Sequence, residues 1–282
     1  MEICYYMVLS GLRFTEIIRI FAGMKVRDII GAIERTAQLK LQDEWDNSGL
    51  QVGFLENEVS RVLVCLDVTE AILDEAAERG CRMIVSHHPL LFRPLSQVSD
   101  STYQQRCVVK ALAGGIAVYS AHTSLDNAPG GVNHKIAALL GLTDLEWLQP
   151  KDGMDAGSGI IGTLPQAVPD TEFLKRVKQL FKVECLRHTA TCGKTVKRVA
   201  LCGGAGAFLM RDAIRKGADC FITGEFHYHD YFENDGMLLA ELGHYQSESC
   251  TIDLLADILG TGCPGLEVVK TSLNTNPTCY DA

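Results

Sequence analysis

The chain is 282 residues long, with 47% hydrophobic and 22% charged residues. These proportions exclude extensive disorder and allow a sizeable core in one large or two smaller domains. A formal net charge of −9 argues against broad, sequence-independent binding of nucleic acid, which needs a basic surface.

Residues 1–23 are apolar in patches interrupted by Arg13, Glu16 and Arg19, and lack the basic start and clean apolar run of a signal peptide. Met24-Lys25-Val26 has the form of a protein start, so 1–23 reads as an N-terminal extension or a misassigned start. Val26, Ile29, Ile30 and Ile33 have helical spacing, and the stretch 43–49 is rich in turn formers. Residues 61–66 form an apolar run that predicts a buried strand, and a helix follows over 69–79, stopping at Gly80. A short strand at 83–85 ends in Ser86-His87-His88-Pro89. Then come a helix over 103–113, a strand at 116–119, a polar, Gly-rich loop over 122–131 and a helix over 132–140. The stretch 143–157, with Pro150, Lys151, Asp152 and Gly153, has loop composition and marks a boundary between a first lobe (24–145) and a second (146–282). Beyond it the pattern predicts strands near 159–164, 199–202 and 237–242 and helices near 170–182 and 244–260. Alternating strands and helices predict an α/β fold, with mixed sheets flanked by helices. No apolar run reaches the roughly 18 residues of a membrane span. Eleven cysteines with no CxxC pair point to reduced thiols in the cytosol, not to a disulfide framework or a zinc ribbon.

An internal repeat runs through this pattern. Arg61-Val62 to Cys65, then Gly80, then a β-rich triplet recurs 137 residues later as Arg198-Val199 to Cys202, Gly217 and Phe221-Ile222-Thr223. In that register His87 and His88 stand opposite Gly224 and Glu225. The repeat predicts two related α/β lobes facing each other across a pseudo-twofold axis, with a site between them.

Three segments place ligand-type side chains just beyond predicted strands, at the end of an α/β sheet where ligands bind. In the first, adjacent His87 and His88 point to opposite sides of an extended segment and suit two neighbouring ions better than one, and Pro89 holds His88 extended. In the second, His122 and Asp126 offer an imidazole and a carboxylate, a pair suited to zinc, manganese or iron. In the third, His244 and Glu248 lie four apart on one helical face. Each segment alone also reads as an ordinary feature: surface histidines at a turn, a carboxylate capping backbone, an exposed His–Glu pair. Together they hold four of the eight histidines of the chain. A fourth segment, 223–230, adds His227 and His229 after another strand. Gly203-Gly204-Ala205-Gly206 reads either as a phosphate-receiving turn at a helix start or as a plain tight turn.

The set Trp45-Asp46-Asn47-Ser48-Gly49-Leu50, Ser86-His87-His88-Pro89, His122-Thr123 with Asp126, Gly224-Glu225, and Gly243-His244 with Glu248 resembles the Nif-three-like family, commonly named GTP cyclohydrolase I type 2 homologues. The resemblance extends from about Met24 through Thr275-Asn276-Pro277 and fits the short form without an inserted domain. It implies two divalent metal ions (zinc, manganese, iron or nickel) on His87, His88, Asp126, His244 and Glu248, with Glu248 shared by both. His122 and His229 match polar positions near the metals and are the candidate proton carriers, imidazole being the side chain that titrates near physiological pH. It also implies ring-shaped homohexamers. The activity expected is that of a dinuclear metal-dependent hydrolase, with ring opening of a purine nucleotide as the named chemistry and a small-molecule or nucleotide substrate. The alternative is a non-catalytic, metal-binding ring that serves as scaffold or regulator.

Overall fold

The computed structural model describes residues 23–280, so the expected N-terminal extension lies, apart from Gly23, outside the described residues. Two large sheets carry the fold, beside a small antiparallel pair, β1 (Met24–Lys25) and β3 (Glu58–Val59). The first has five strands in the order β13-β4-β5-β6-β2, where β2 is Gly49–Val52, β4 Arg61–Cys65, β5 Met83–Ser86, β6 Ala117–Ser120 and β13 Glu267–Lys270. The second has six in the order β7-β8-β10-β11-β12-β9: β7 Thr143–Pro150, β8 Gly157–Pro169, β9 Arg187–His188, β10 Thr195–Cys202, β11 Cys220–Thr223 and β12 Leu238–Glu241. Each sheet has parallel strands at its centre and antiparallel strands toward one or both edges, so both are mixed.

The continuous apolar runs form these central strands because both sheet faces are covered. Successive side chains alternate between faces. Val62, Val64, Met83 and Val85 enter one core, whereas Leu63, Cys65 and Ile84 enter another beneath helices α2 (Glu70–Glu78) and α3 (Tyr103–Gly114). In the second sheet Val199, Leu201, Cys220 and Ile222 join the first core, and Ala200 and Phe221 face the opposite side. The largest core is thus common to both sheets. It is filled by helices α1 (Val26–Glu34), α5 (Val132–Leu140), α6 (Asp170–Leu180) and α9 (Thr251–Gly262), through Ile29, Ile33, Ile136, Phe173, Val177 and Leu255 among others.

The internal repeat holds at the level of the ladder. In the first sheet Val62 pairs with Met83 and Cys65 with Ser86; in the second, Val199 pairs with Cys220 and Cys202 with Thr223. Each partner is displaced by the same 137 residues.

Two expectations are corrected. Residues 143–157, read from their composition as a loop at a boundary, form β7 and the turn into β8. As an edge strand β7 buries Leu148 and leaves most of its residues to solvent, which gives it the composition of a loop. The division into 24–145 and 146–282 also fails at the C-terminal end, because α9 packs on α1 and β13 pairs in parallel with β4, returning to the first sheet. In addition, the expected helix over 244–260 is two helices, α8 (His244–Glu248) and α9, broken at 249–250.

Candidate metal centre

Four chain segments leave the carboxyl ends of β5, β6, β10 and β12 and meet at one point. Past β5 the backbone keeps the sheet register for two more residues: His87 N donates to Cys65 O (3.3 Å) and His88 N to Leu66 O (2.9 Å). The His88 carbonyl accepts from both Ser86 Oγ (2.9 Å) and Ser120 Oγ (3.1 Å), which fixes this turn to the end of β6. Past β6 the short helix α4 (Thr123–Asp126) presents Asp126. Past β12, α8 begins after Gly243 and puts His244 and Glu248 on one face, with their nearest atoms 3.2 Å apart.

The turn after β10 explains the Gly-rich motif. Gly204 has φ +62°, and a Cβ there would lie 2.3 Å from Glu248 Oε1. Its N–H donates to Ser247 Oγ (2.9 Å). The motif is a tight turn that makes room for a carboxylate, and the helix that follows in its neighbourhood, α7 (Met210–Arg215), has only six residues.

Glu248 is central and 3% exposed. Its Oε2 lies 3.0 Å from His88 Nε2 and 3.2 Å from His244 Nε2, and the two ring nitrogens are 3.3 Å apart. Ligands bound tetrahedrally at about 2.0–2.1 Å are separated by roughly 3.3 Å, so this triangle fits three ligands of one divalent ion. Its Oε1 faces the other way, 3.5 Å from His87 Nε2, which is 3.7 Å from Asp126 Oδ1. His87 Nε2 and Asp126 Oδ1 are buried and have no hydrogen-bond partner, the state of polar atoms arranged for an ion. A third grouping joins His122 to His87 and His88. The groups His88-His244-Glu248 and His87-Asp126-Glu248 thus share Glu248, and each could hold a metal ion.

Each ring is held by its far nitrogen. His87 Nδ1 lies 3.3 Å from Ala121 O, His88 Nδ1 2.7 Å from Asp67 Oδ1, His244 Nδ1 2.8 Å from Glu225 Oε1, and His122 Nδ1 2.7 Å from Asp46 Oδ1. An acceptor at Nδ1 fixes the tautomer and aims the Nε2 lone pair at the centre. Asp67 is in turn held by Thr275 Oγ1 (2.6 Å), and Asp46 by Ser48 Oγ (2.8 Å) and Thr123 N (3.0 Å).

The electrostatics agree with this arrangement. Burial pushes the His87 imidazolium down to about 4, so the ring is a neutral donor at pH 7. Burial also disfavours charge on His88, but its bonds to Asp67 and Glu248 outweigh that and raise it to about 10. Burial and the charge of Glu248 push the Asp126 acid well above the carboxylate range. Glu248 is held well below that range despite its burial, because His87, His244 and His88 surround it.

Two cavities flank the cluster. One of about 920 Å³ is lined by His88, His122, Asp126, His244 and Glu248 together with Trp45, Phe92 and Phe208. The other, of about 540 Å³, lies beyond His88 and His244 against Arg187, Tyr245 and Asn276.

The structure therefore brings together all five expected ligands and His122. His229 is not among them: it is exposed on the turn Tyr228–Phe232, packs on Tyr228 and Phe232, and lines neither cavity. Sequence reasoning did not single out Asp67, or assign roles to Asp46 and Glu225. Asp67 had a usable signal, since it follows β4 by two residues and so stands at a strand end like the ligands.

The family model described as Duf34/NIF3 (NGG1p interacting factor 3) matches residues 24–277. A Lactococcus lactis protein named GTP cyclohydrolase 1 type 2 homolog is 35% identical over 261 residues, covering 90% of this chain and 98% of that protein. A Clostridium acetobutylicum protein of the same name is 34% identical over 230 residues, covering 80% and 86%. A crystal structure of a Bacillus cereus protein related to NIF3 superposes with a TM-score of 0.83 over 92% of this chain and 99% of that one, at 24% identity.

Proposed function

Given that the chain belongs to the Duf34/NIF3 family, we propose that it is a dinuclear metal-dependent hydrolase. One observation carries the reading: Glu248 turns one oxygen to His88 and His244 and the other to His87, while His87 Nε2 and Asp126 Oδ1 lie buried without partners. His88, His244 and Glu248 would hold one ion, and His87, Asp126 and Glu248 the other. Such ions supply Lewis acidity and make water a nucleophile at neutral pH.

The chain's own groups supply the rest. Asp67, Glu225 and Ala121 O orient the three donor rings. His122, held by Asp46, keeps Nε2 for the cavity and is placed to carry a proton there. His229 has no such placement, and the proton-carrier role falls to His122 alone. The name shared by the relatives makes a purine nucleotide the first substrate to test, with ring opening and release of formate as the reaction. A ring-shaped homohexamer and a cytoplasmic location belong to the same proposal. The first rests on the family resemblance and the second on cysteines that read as reduced thiols and are free among the described residues.

The test is turnover by metal-loaded protein on GTP, other nucleotides and phosphoesters, read as formate or phosphate. Activity that falls at least a hundredfold in Glu248→Ala, together with loss of bound metal, supports the hydrolase. A loaded protein inert across that panel is a non-catalytic metal-binding protein.

A further inference from the structure

The larger cavity has a donor cluster at its floor and aromatic rings at its mouth. Trp45 and Phe92 stack on each other, with ring centroids 5.6 Å apart and planes inclined by 28°. Both rings also meet His122 edge-on, at 5.8 Å and 5.7 Å. Trp45 is 59% exposed and Phe92 47%, and Phe208, reached from the Gly-rich turn of the second lobe, is 61% exposed. All three line the same cavity as His122, Asp126 and Glu248. Large aromatic surface left open to water beside a polar cluster marks a binding surface more than a packing accident.

The charge of the cavity narrows what binds there. Among the described residues no lysine or arginine lines it, whereas Asp43, Glu44, Asp126 and Glu248 do. Lys151, close by, is engaged by Asp43 at 2.8 Å. Two divalent ions would bring four positive charges, and Lys151 a fifth already engaged by Asp43, against four carboxylates, so a surplus of at most one charge faces a polyanion such as a triphosphate. A planar ring needs no such surplus, since stacking depends on its face and not on charge.

We propose that this cavity binds a planar, unphosphorylated heteroaromatic ring, stacked on the Trp45–Phe92 pair with an edge toward the donor cluster. The inference rests on the hydrolase reading in taking that cluster as the reactive end of the cavity. It narrows the substrate to a nucleobase or nucleoside-like ring and makes phosphate groups dispensable for recognition.

Trp45 reports on its own site, because the chain has only two tryptophans and the other, Trp147, hydrogen-bonds Asp155 at 3.3 Å and packs on His134. In a Trp147→Phe background, guanosine, GTP and inorganic tripolyphosphate are titrated into metal-loaded and chelator-treated protein, with Trp45 emission as the readout and calorimetry for the Trp45 variants. Guanosine is expected to quench Trp45 and to bind within about threefold of GTP, and tripolyphosphate not to displace it. Trp45→Ala and Phe92→Ala should each weaken guanosine about tenfold, in loaded and in chelated protein alike. Trp45→Phe, which keeps a ring, should recover most of that loss. Metal content, unchanged in all three variants, controls for folding.

The proposal is overturned if GTP binds more than tenfold tighter than guanosine, if tripolyphosphate competes with the ring, or if neither alanine variant alters binding. Ring binding with no turnover of any substrate leaves this inference standing and sinks the hydrolase. Hydrolysis of non-aromatic phosphoesters without guanosine binding does the reverse.

Discussion

Asp67 sits outside the donor set yet governs one member of it. Its Oδ1 receives His88 Nδ1 at 2.7 Å and its Oδ2 receives Thr275 Oγ1 at 2.6 Å, so the ring has one orientation and one tautomer. Asp67→Asn keeps the shape but removes the charge that makes His88 a better donor. Metal affinity at the position shared by His88 and His244 should fall about 10–100-fold, measured by competition with a chromophoric chelator, while the position at His87 and Asp126 stays within a few-fold. Equal weakening of both would mean that Asp67 acts on the whole fold instead. The five side chains that meet at the candidate site were legible in the sequence because they are adjacent histidines, a His–Glu pair at helical spacing and a carboxylate near a histidine, all at strand ends. The position of Asp67 at a strand end was a signal, but the pairing of Asp67 and Glu225 with their histidines was not legible, because the partners lie 21 and 19 residues away and only the folded turns bring them under a ring.

Helix α2 is tied to the end of β13 by a single buried carboxylate. Glu75 accepts from Ser272 N and Ser272 Oγ (both 2.8 Å), from Arg79 Nη1 (2.9 Å) and from the Thr271 hydroxyl. Burial alone would raise this acid, but the Thr271 and Ser272 bonds outweigh it and hold it below its ordinary value of 4.5. The sign follows from that depression. The contribution is complete above pH 4.5 and disappears as pH falls through the lower folded value. Glu75→Gln should cost about 1–3 kcal/mol at pH 7, most of it from the Ser272 and Thr271 bonds, since the Arg79 side chain is 40% exposed and its pairing is screened by solvent. Urea melts of mutant and parent should converge once the pH has fallen through the depressed folded value of Glu75; a gap that persists there would show that side-chain shape, not charge, matters. At this scale the central strands were legible, since doubly buried parallel strands leave unbroken apolar runs. The edges β2, β7 and β13 were not, because only one or two residues of each are buried and hydrophobic periodicity has little to act on.

One helical core joins the two sheets, and the donors come from both of them. Binding therefore stabilises the whole molecule and not one lobe. A divalent ion at one hundred times its Kd should add about 2.7 kcal/mol and raise the melting temperature by roughly 5–10 °C. Scanning calorimetry should show a single transition with and without ion. Two separated transitions, only one of them moved by metal, would show that the lobes unfold independently. The two-lobed architecture was visible in the 137-residue repeat, but the common core was not, because helices α1 and α9 meet across more than two hundred residues of chain. The return of β13 to β4 has a further result for biosynthesis. During translation β4 emerges with one edge bare and waits for about 200 more residues, roughly 10–40 s of ribosome time. Throughout that interval the nascent first sheet presents an unpaired backbone edge, at which a stalled, shortened product would aggregate.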